Sequence, residues 1–316
     1  MTSERLSMHQ TWCMSYRMRR YCQHLSQPEL NRRLRDIVTN LLLLTPGAKI
    51  GVLSITPENM RWMEIWTHAL QEMVLRHGPF PNGFTRDILH AEPFPDFLND
   101  VGKAAAKHVA SRGASLMGSY IKFGKKEHME ALFRRGAIRV RPASYYVAPD
   151  HNGAVRDDEL ALSLSFAIPA SVLKDIVANP HNVPDNADDQ RLDLTLSAGS
   201  DYWLYCVAAS MSPRLFVDFD ATSCVVVKDR KRFEEMMRQA SADVFAPAVL
   251  ECKAVGYVDP VLPPKHRIDV AMSKHFRYSY QDEHRFVWRP RDTTCHVPYV
   301  DLELGSLEAF AELVEL

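Results

Sequence analysis

The sequence lacks the compositional extremes that mark fibrous, disordered or membrane-embedded chains. Its 13 glycines and 19 prolines among 316 residues exclude a collagen-like or low-complexity protein. No apolar run, including the leucines at 41–44, approaches the roughly 18 residues of a membrane-spanning helix. Lys and Arg number 38 and Asp and Glu number 39, so the net charge of −1 excludes binding to nucleic acid or membranes through bulk charge. A local basic face stays compatible with this balance.

Paired cysteine motifs are also missing, and their absence bears on metal binding and on the cellular compartment of the protein. None of the six cysteines forms a Cys-x-x-Cys pair, and none lies close to another Cys or to a His in a repeated pattern. A structural zinc site needs two such clusters, so the sequence predicts no metal site. The first ten residues have neither the apolar stretch nor the cleavage site of a secretory signal. We therefore expect a cytoplasmic protein with buried, reduced thiols and no membrane association.

Several short motifs of phosphate binding and catalysis are absent as well. The chain contains no Gly-x-Gly-x-x-Gly, Gly-x-x-x-x-Gly-Lys-Ser/Thr, Gly-x-Ser-x-Gly or His-Glu-x-x-His. The acidic run Asp157-Asp158-Glu159 is typical of a solvated turn, with a structural or substrate-positioning loop as the alternative. A second acidic stretch, residues 185–189, predicts an exposed loop.

What is present is an ordinary globular composition, 46% hydrophobic and 24% charged, in a chain long enough for about two domains. The sequence pattern of residues 1–112 predicts a mainly helical region. Apolar residues recur every three or four positions from Leu30 to Leu41, and Pro46-Gly47 is expected to end that helix. A second helix is expected to begin at Thr56-Pro57. Its stripe of Met and Trp is interpreted as core packing, with a partner-binding groove as the alternative.

The hydrophobic period changes at Arg112-Gly113, and strands and turns dominate from there onward. Residues 137–141 alternate apolar and charged side chains, which is typical of a half-buried strand. Residues 126–134 predict a short helix with Gly136 as its C-cap. The sequence thus predicts an α+β protein with an N-terminal helical region, residues 1–112, and an α+β domain, residues 113–316.

Three segments of the second part occur together in an informative order. The first holds a strand and turn, a helix, another strand and a tyrosine pair, namely Tyr120-Ile121-Lys122-Phe123-Gly124, residues 127–136, residues 138–140 and Pro142-Ala143-Ser144-Tyr145-Tyr146. The second is the apolar run of residues 204–211, which ends in Ser210-Met211 and precedes residues 224–227. The third is Tyr278-Ser279-Tyr280-Gln281-Asp282-Glu283-His284-Arg285.

This order resembles the ADP-ribosyltransferase fold of bacterial toxins over residues 116–290, and most of all a poorly characterised bacterial branch associated with phage defence. That branch opens with a Tyr-x-Lys-Tyr strand, continues with helix, Gly, strand and Ser-x-x-Phe/Tyr, and closes with Tyr/Trp-x-x-Glu-x-Arg. The resemblance implies a split mixed or antiparallel sheet with flanking helices. It also implies an NAD-consuming intracellular toxin or anti-phage effector that modifies a protein or nucleic-acid acceptor, with an antitoxin or other defence-system partner as a further implication.

The same resemblance assigns a catalytic role to Glu283, in Gln281-Asp282-Glu283. Loss of nicotinamide from NAD develops positive charge on the ribose, which a carboxylate near the 2′-hydroxyl stabilises. In the family this carboxylate lies in Gln/Glu-x-Glu at the start of a strand. Gln281 would orient the acceptor, and Ser210 would support the glutamate from the middle strand. The strand pattern alone offers an alternative, an exposed ion pair between Glu283 and Arg285, because residues i and i+2 project to the same side.

For NAD itself, the family's first strand carries an Arg or His that holds the adenosine ribose or the phosphates. Lys122 stands at that place, and its amine is a point charge without the bidentate fork of Arg. Tyr120, Phe123, Tyr145 and Tyr146 offer aromatic faces for nicotinamide, with core packing as the alternative. The two adjacent tyrosines are expected on opposite faces of a strand. We expect Tyr120, Lys122, Ser210 and Glu283 to line one pocket.

Two other functions stay open. Lys122 in place of Arg or His favours a catalytically degenerate module of the same fold that senses a ligand or a phage component. The basic residues within 17–21 and 134–141 favour an RNA- or single-strand-binding protein, because basic clusters interleaved with aromatics suit such ligands. A solvated face is the alternative explanation of those charges.

Overall fold

The computed structural model describes residues 6–57, 59–79, 97–112, 118–148, 154, 157–176, 190–290 and 297–316. These residues combine helices with antiparallel sheets, which confirms the predicted α+β class. The α-helices are α1 Met8–Arg19, α2 Gln27–Leu41, α3 Met60–His77, α4 Asp100–Arg112, α5 Lys126–Arg135, α6 Ala170–Ile176, α7 Pro213–Asp218 and α8 Arg230–Ser241. The 3₁₀ helices include Ala143–Val147, Val270–Met272 and Phe276–Gln281. The acidic stretch at 185–189 lies outside the described residues.

The strands are β1 Leu42–Leu44, β2 Ile50–Val52, β3 Tyr120–Gly124, β4 Ala137–Pro142, β5 Ala161–Ile168, β6 Gln190–Ser197, β7 Trp203–Ala208, β8 Ser223–Val227, β9 Leu250–Ala254, β10 Gly256–Val258, β11 Ser273–His275, β12 Glu283–Trp288, β13 Val300–Glu303 and β14 Ala311–Glu315. Most pairs are antiparallel, and β10 pairs with β11 in parallel. Among the described helices, none has the length and apolar content needed to cross a bilayer.

The region before residue 113 is mainly helical where it is described, as predicted, but two helix ends differ from the prediction. The α2 helix begins at a capping box formed by Ser26 and Glu29 and ends at Leu41 rather than at Pro46. Leu42–Leu44 leave the helix because they pair with Ile50–Val52 in a hairpin. The α3 helix begins after Asn59, not at Thr56-Pro57.

The helical region shares a buried core with the second part of the chain. Leu30, Leu34 and Ile37 of α2 pack in one cluster with Val261 and Phe276. Beside them, the Arg33 guanidinium donates two hydrogen bonds to the Asp259 carboxylate, at 2.7 and 2.8 Å. Both side chains are only 3% exposed. The α2 helix is therefore fixed to the α+β part by apolar packing and by a fully buried ion pair.

The main sheet has the strand order β13-β4-β7-β3-β8-β14, and β12 and β9 extend it from the other edge of β7. The β12 strand pairs with β7 along its whole length, from Glu283 opposite Ala208 to Trp288 opposite Trp203. On the opposite edge of β7, β4 pairs with the start of the strand, whereas β3 pairs only with Ala208 at its end. The sheet is therefore split along β7, where β3 and β4 diverge.

The two faces of β12 have different surroundings because side chains alternate along a strand. Phe286 and Trp288 lie in the largest apolar core, which α8 covers through Phe233 and α5 through Leu132. Glu283, Arg285 and Val287 project to the other face, where Val287 packs with Ala271 and Met272. One strand thus supplies an apolar core on one side and two charged side chains on the other.

Candidate functional site

The split in the sheet opens into a pocket of about 260 Å³. The pocket lies where β3 leaves β7, so its walls come from both strands and from the start of β12. Glu283, Gln281, Lys122, Phe123 and Tyr146 all line it. These five residues are brought together from sequence positions as far apart as 122 and 283.

The other candidates lie elsewhere. Tyr120 is 1% exposed on the opposite face of the sheet, where its ring meets Phe233 and Phe286. Ser210 lies two residues beyond the end of β7, in the bend before α7, and does not line the pocket. The expected meeting of Tyr120, Lys122, Ser210 and Glu283 in one pocket is therefore wrong for Tyr120 and Ser210.

The tyrosine pair also differs from its prediction. Tyr145 and Tyr146 lie in a 3₁₀ helix, Ala143–Val147, rather than in a strand, because β4 ends at Pro142. Their rings meet edge to face at 5.3 Å. Tyr146 lines the pocket, whereas Tyr145 stacks on the guanidinium of Arg141 at 3.9 Å, away from the pocket.

Glu283 is the first residue of β12, as the family pattern implies, and it is 8% exposed. The preceding residue, Asp282, has a left-handed backbone, with φ at 45°, which turns the chain from the 3₁₀ helix into the strand. The Glu283 carboxylate accepts from Arg285 Nε at 2.6 Å and from Lys274 Nζ at 3.1 Å. Burial opposes the charge, but Arg285 and Lys274 outweigh it and hold the pKa of Glu283 well below its usual range.

The ion pair of Glu283 and Arg285 belongs to a buried four-charge cluster. Glu159 lies 2.6 Å from Arg285 Nη2 and 3.5 Å from Lys274 Nζ. All four side chains are at most 8% exposed. The charges of the two carboxylates and the two cations cancel. Charged side chains can be buried when they are paired in this way.

Two expectations are corrected by this cluster. The Glu283–Arg285 pair exists but is buried rather than exposed, because 3₁₀ helix Val270–Met272 covers that face and its Ala271 carbonyl accepts from Arg285. The acidic run at 157–159 is not simply a solvated turn, because Glu159 is 4% exposed inside the cluster. Lys274 was not predicted as a site residue, since no local spacing links it to Glu283, and Glu159 was considered only within the acidic run whose alternative role is a structural or substrate-positioning loop.

Gln281 is buried, and both ends of its side chain are engaged. The amide nitrogen donates to the Ala154 carbonyl at 2.8 Å, and the amide oxygen accepts from Lys274 at 3.2 Å. In this arrangement Gln281 positions Lys274 at the wall of the pocket.

Lys122 differs from Lys274 because no carboxylate of the described residues lies within ion-pair distance of its amine. Nζ donates to the carbonyl of Cys206 at 2.8 Å and lies 4.3 Å from the centre of the Tyr205 ring. Desolvation lowers the pKa of Lys122 from its ordinary value. A partly buried cation that faces a pocket without a partner carboxylate is suited to an anionic ligand.

The buried environment of Asp157, beside this cluster, predicts that the free energy of unfolding depends on pH. Burial raises the pKa of Asp157 from 3.8 to about 6, against the opposing effect of Lys274. Between about pH 4 and 6 the folded state holds a proton that the unfolded state has lost. Stability should therefore fall as pH rises through this window, by about 1–3 kcal/mol.

The measurement is urea unfolding at pH 4.5 and pH 7 for the wild type and Asp157→Asn. The stability of Asp157→Asn should not fall in this way between pH 4.5 and pH 7, because an amide does not titrate. An equal change of the unfolding free energy in both proteins would contradict the raised pKa.

The basic clusters are partly balanced by acidic partners. Arg20 lies 3.1 Å from Glu72, and Arg139 lies 2.8 Å from Asp301. These arginines therefore offer less attraction to phosphates than the sequence pattern indicates.

No family model, no curated protein and no solved structure matches this chain. The chemical role of the site is therefore inferred from the geometry of its residues.

Proposed function

We propose that this protein is an NAD-dependent mono-ADP-ribosyltransferase with an ADP-ribosyltransferase-like fold, acting inside the cell as a toxin or anti-phage effector. The observation that carries the proposal is the position of Glu283. It starts a strand, lines the pocket of a split sheet and keeps its charge at neutral pH. An ionised carboxylate at this place is what an oxocarbenium-like ribosyl group requires.

The remaining pocket residues fit the two ends of the substrate. Lys122 offers a cation for a phosphate of the dinucleotide, and Phe123 and Tyr146 offer aromatic surface for nicotinamide. The pocket of about 260 Å³ is slightly below the usual range of about 300–1,000 Å³ for small-molecule sites. It therefore suits the nicotinamide riboside portion of NAD, with the adenosine portion beyond it.

One observation favours a second function, a binding module that senses a ligand without turnover. Both carboxylate oxygens of Glu283 are already engaged, Oε1 by Arg285 and Oε2 by Lys274. Catalysis requires the carboxylate to reach the ribose 2′-hydroxyl while it keeps these partners. A module that only binds has no such requirement.

The test is incubation of the purified protein with NAD labelled on the adenylate, with and without bacterial lysate. Release of nicotinamide and label on macromolecules are expected. Label lost to protease identifies a protein acceptor, and label lost to nuclease identifies a nucleic-acid acceptor. Binding of NAD by calorimetry without nicotinamide release would support the sensing module instead.

A prediction for Lys122 follows from the absence of an acidic partner for its amine among the residues that the structure describes. Replacement Lys122→Gln should weaken NAD binding by about 10–100-fold, the effect of losing a charge-assisted hydrogen bond of about 1.5–3 kcal/mol. KM should rise far more than kcat falls, because the lysine is proposed to contact a phosphate rather than the ribose–nicotinamide bond that breaks. Steady-state kinetics with Lys125→Gln, an exposed lysine just after the same strand, provides the matched control. Unchanged KM in Lys122→Gln would remove Lys122 from the binding site.

A further inference from the structure

A second group of reactive side chains lies on the opposite face of the sheet from the pocket. Cys252 of β9, His284 of β12 and Glu234 of α8 each offer a ligand atom there, and these atoms all lie within 4.8 Å of one another. Cys252 Sγ is 3.1 Å from His284 Nε2. All three side chains are partly exposed, so solvent ions can reach them.

The sheet register explains why the three residues meet. Cys252 lies opposite Phe286 and is therefore diagonal to His284 on the same face of the β9–β12 pair. The α8 helix crosses this face through Phe233, which places the next residue, Glu234, over the two strands. Three separate elements contribute one ligand each, which is why the cysteine spacing in the sequence does not show the cluster.

Tyr120 completes the surroundings. Its hydroxyl donates to Glu234 Oε1 at 2.6 Å and lies 3.0 Å from His284 Nε2. Two arginines lie nearby: Arg230 donates to the Ser119 carbonyl and its guanidinium lies 4.5 Å from the centre of the Tyr120 ring, and Arg238 pairs with Glu235. A buried tyrosine that holds a ligating carboxylate is the kind of outer contact that orients metal ligands.

We propose that Glu234, Cys252 and His284 form a binding site for a zinc ion, independent of the NAD chemistry proposed above. Thiolate, imidazole and carboxylate are the three ligand types that Zn²⁺ takes in proteins. On binding, the Cys252 thiol releases its proton to solvent, so that one thiolate and one carboxylate balance the 2+ charge. Three protein ligands leave a fourth tetrahedral position for water or for a group of another molecule.

The experiment titrates the full-length, chelator-treated protein with Co²⁺, whose spectrum reports both thiolate ligation and tetrahedral geometry. The wild type should bind one ion, with a sulfur-to-cobalt charge-transfer band and visible d–d bands that Zn²⁺ abolishes. Cys252→Ser should lose the charge-transfer band. Cys13→Ser should keep it: Cys13 also lies near a histidine, 3.8 Å from His9 Nε2, but no third ligand among the described residues joins them.

Two further measurements keep the test decisive if a variant folds poorly. Tyr120→Phe leaves all three ligands in place and should weaken Zn²⁺ binding by about 10–100-fold. Excess Zn²⁺ should raise the Tm of the wild type, since an ion that binds only the folded state stabilises it. A wild type that is folded, has a reactive Cys252 thiol and shows no cobalt charge-transfer band would overturn the proposal. The same band in Cys252→Ser would overturn it as well.

Discussion

Glu283→Gln is expected to lower the rate of NAD cleavage by about 10²–10³-fold, which corresponds to about 3–4 kcal/mol of lost transition-state stabilisation. The amide keeps the size of the side chain but removes the charge that faces the ribose in the proposed reaction. The variant should also lose stability, because Lys274 and Arg285 stay buried beside a neutral partner. Nicotinamide release is therefore measured per folded molecule, with the folded fraction taken from urea unfolding.

Glu159→Gln is the matched control for this loss. Glu159 is equally buried and contacts the same two cations, so its amide variant perturbs the cluster in the same way. We expect a similar fall in stability and a rate at least tenfold above that of Glu283→Gln. Equal rates in the wild type and Glu283→Gln would remove the central residue from the enzyme hypothesis. A larger loss in Glu159→Gln would transfer the catalytic role to that residue.

Arg33→Met is expected to destabilise the protein by about 3–5 kcal/mol, because it leaves the Asp259 carboxylate buried without its partner. Burial opposes the charge of Asp259, and Arg33 outweighs it to hold the pKa below its usual value. Without Arg33, that carboxylate must take up a proton or draw water into the core. The free energy of unfolding in urea measures the loss.

Two variants test whether the cause is the unpaired charge. Arg32→Met, at an exposed neighbouring position of the same helix, should change stability by less than about 1 kcal/mol. The double variant Arg33→Met/Asp259→Leu should recover most of the loss, since an apolar pair of similar volume replaces a buried ion pair with little cost. A double variant no more stable than Arg33→Met would show that packing around Arg33, not the charge, matters.

Local patterns in the sequence predict the elements that depend on near neighbours. The alternation at residues 137–141 is a strand, and the helix before Gly136 ends in a left-handed cap at that glycine, with φ at 66°. For both elements the determining interactions lie within a few residues. The start of β12 at Glu283 agrees with what the family resemblance implies, not with a local pattern.

Structural features that depend on contacts between distant residues could not be predicted from local patterns. The leucines at 42–44 continue a helical pattern, yet strand pairing with residues 50–52 decides their structure. Glu159, in the turn before β5, and Lys274, in β11, join Glu283 only because these segments meet β12 in space. Tyr120 has the residue type of a nucleotide-stacking aromatic, but its ring packs against Phe233 and Phe286 in the apolar core.

Glu283 and His284 are neighbours in β12, so the pocket and the cluster of Glu234, Cys252 and His284 depend on the same backbone register. Because these neighbours project to opposite faces of β12, a shift by one residue would exchange their surroundings and put imidazole in the pocket and carboxylate beside Cys252. Point substitutions along β12 alter one face at a time, whereas a single-residue insertion or deletion before Glu283 disrupts both sites together. In a mutational scan, this strand should accept changes of residue type at some positions and changes of length at none.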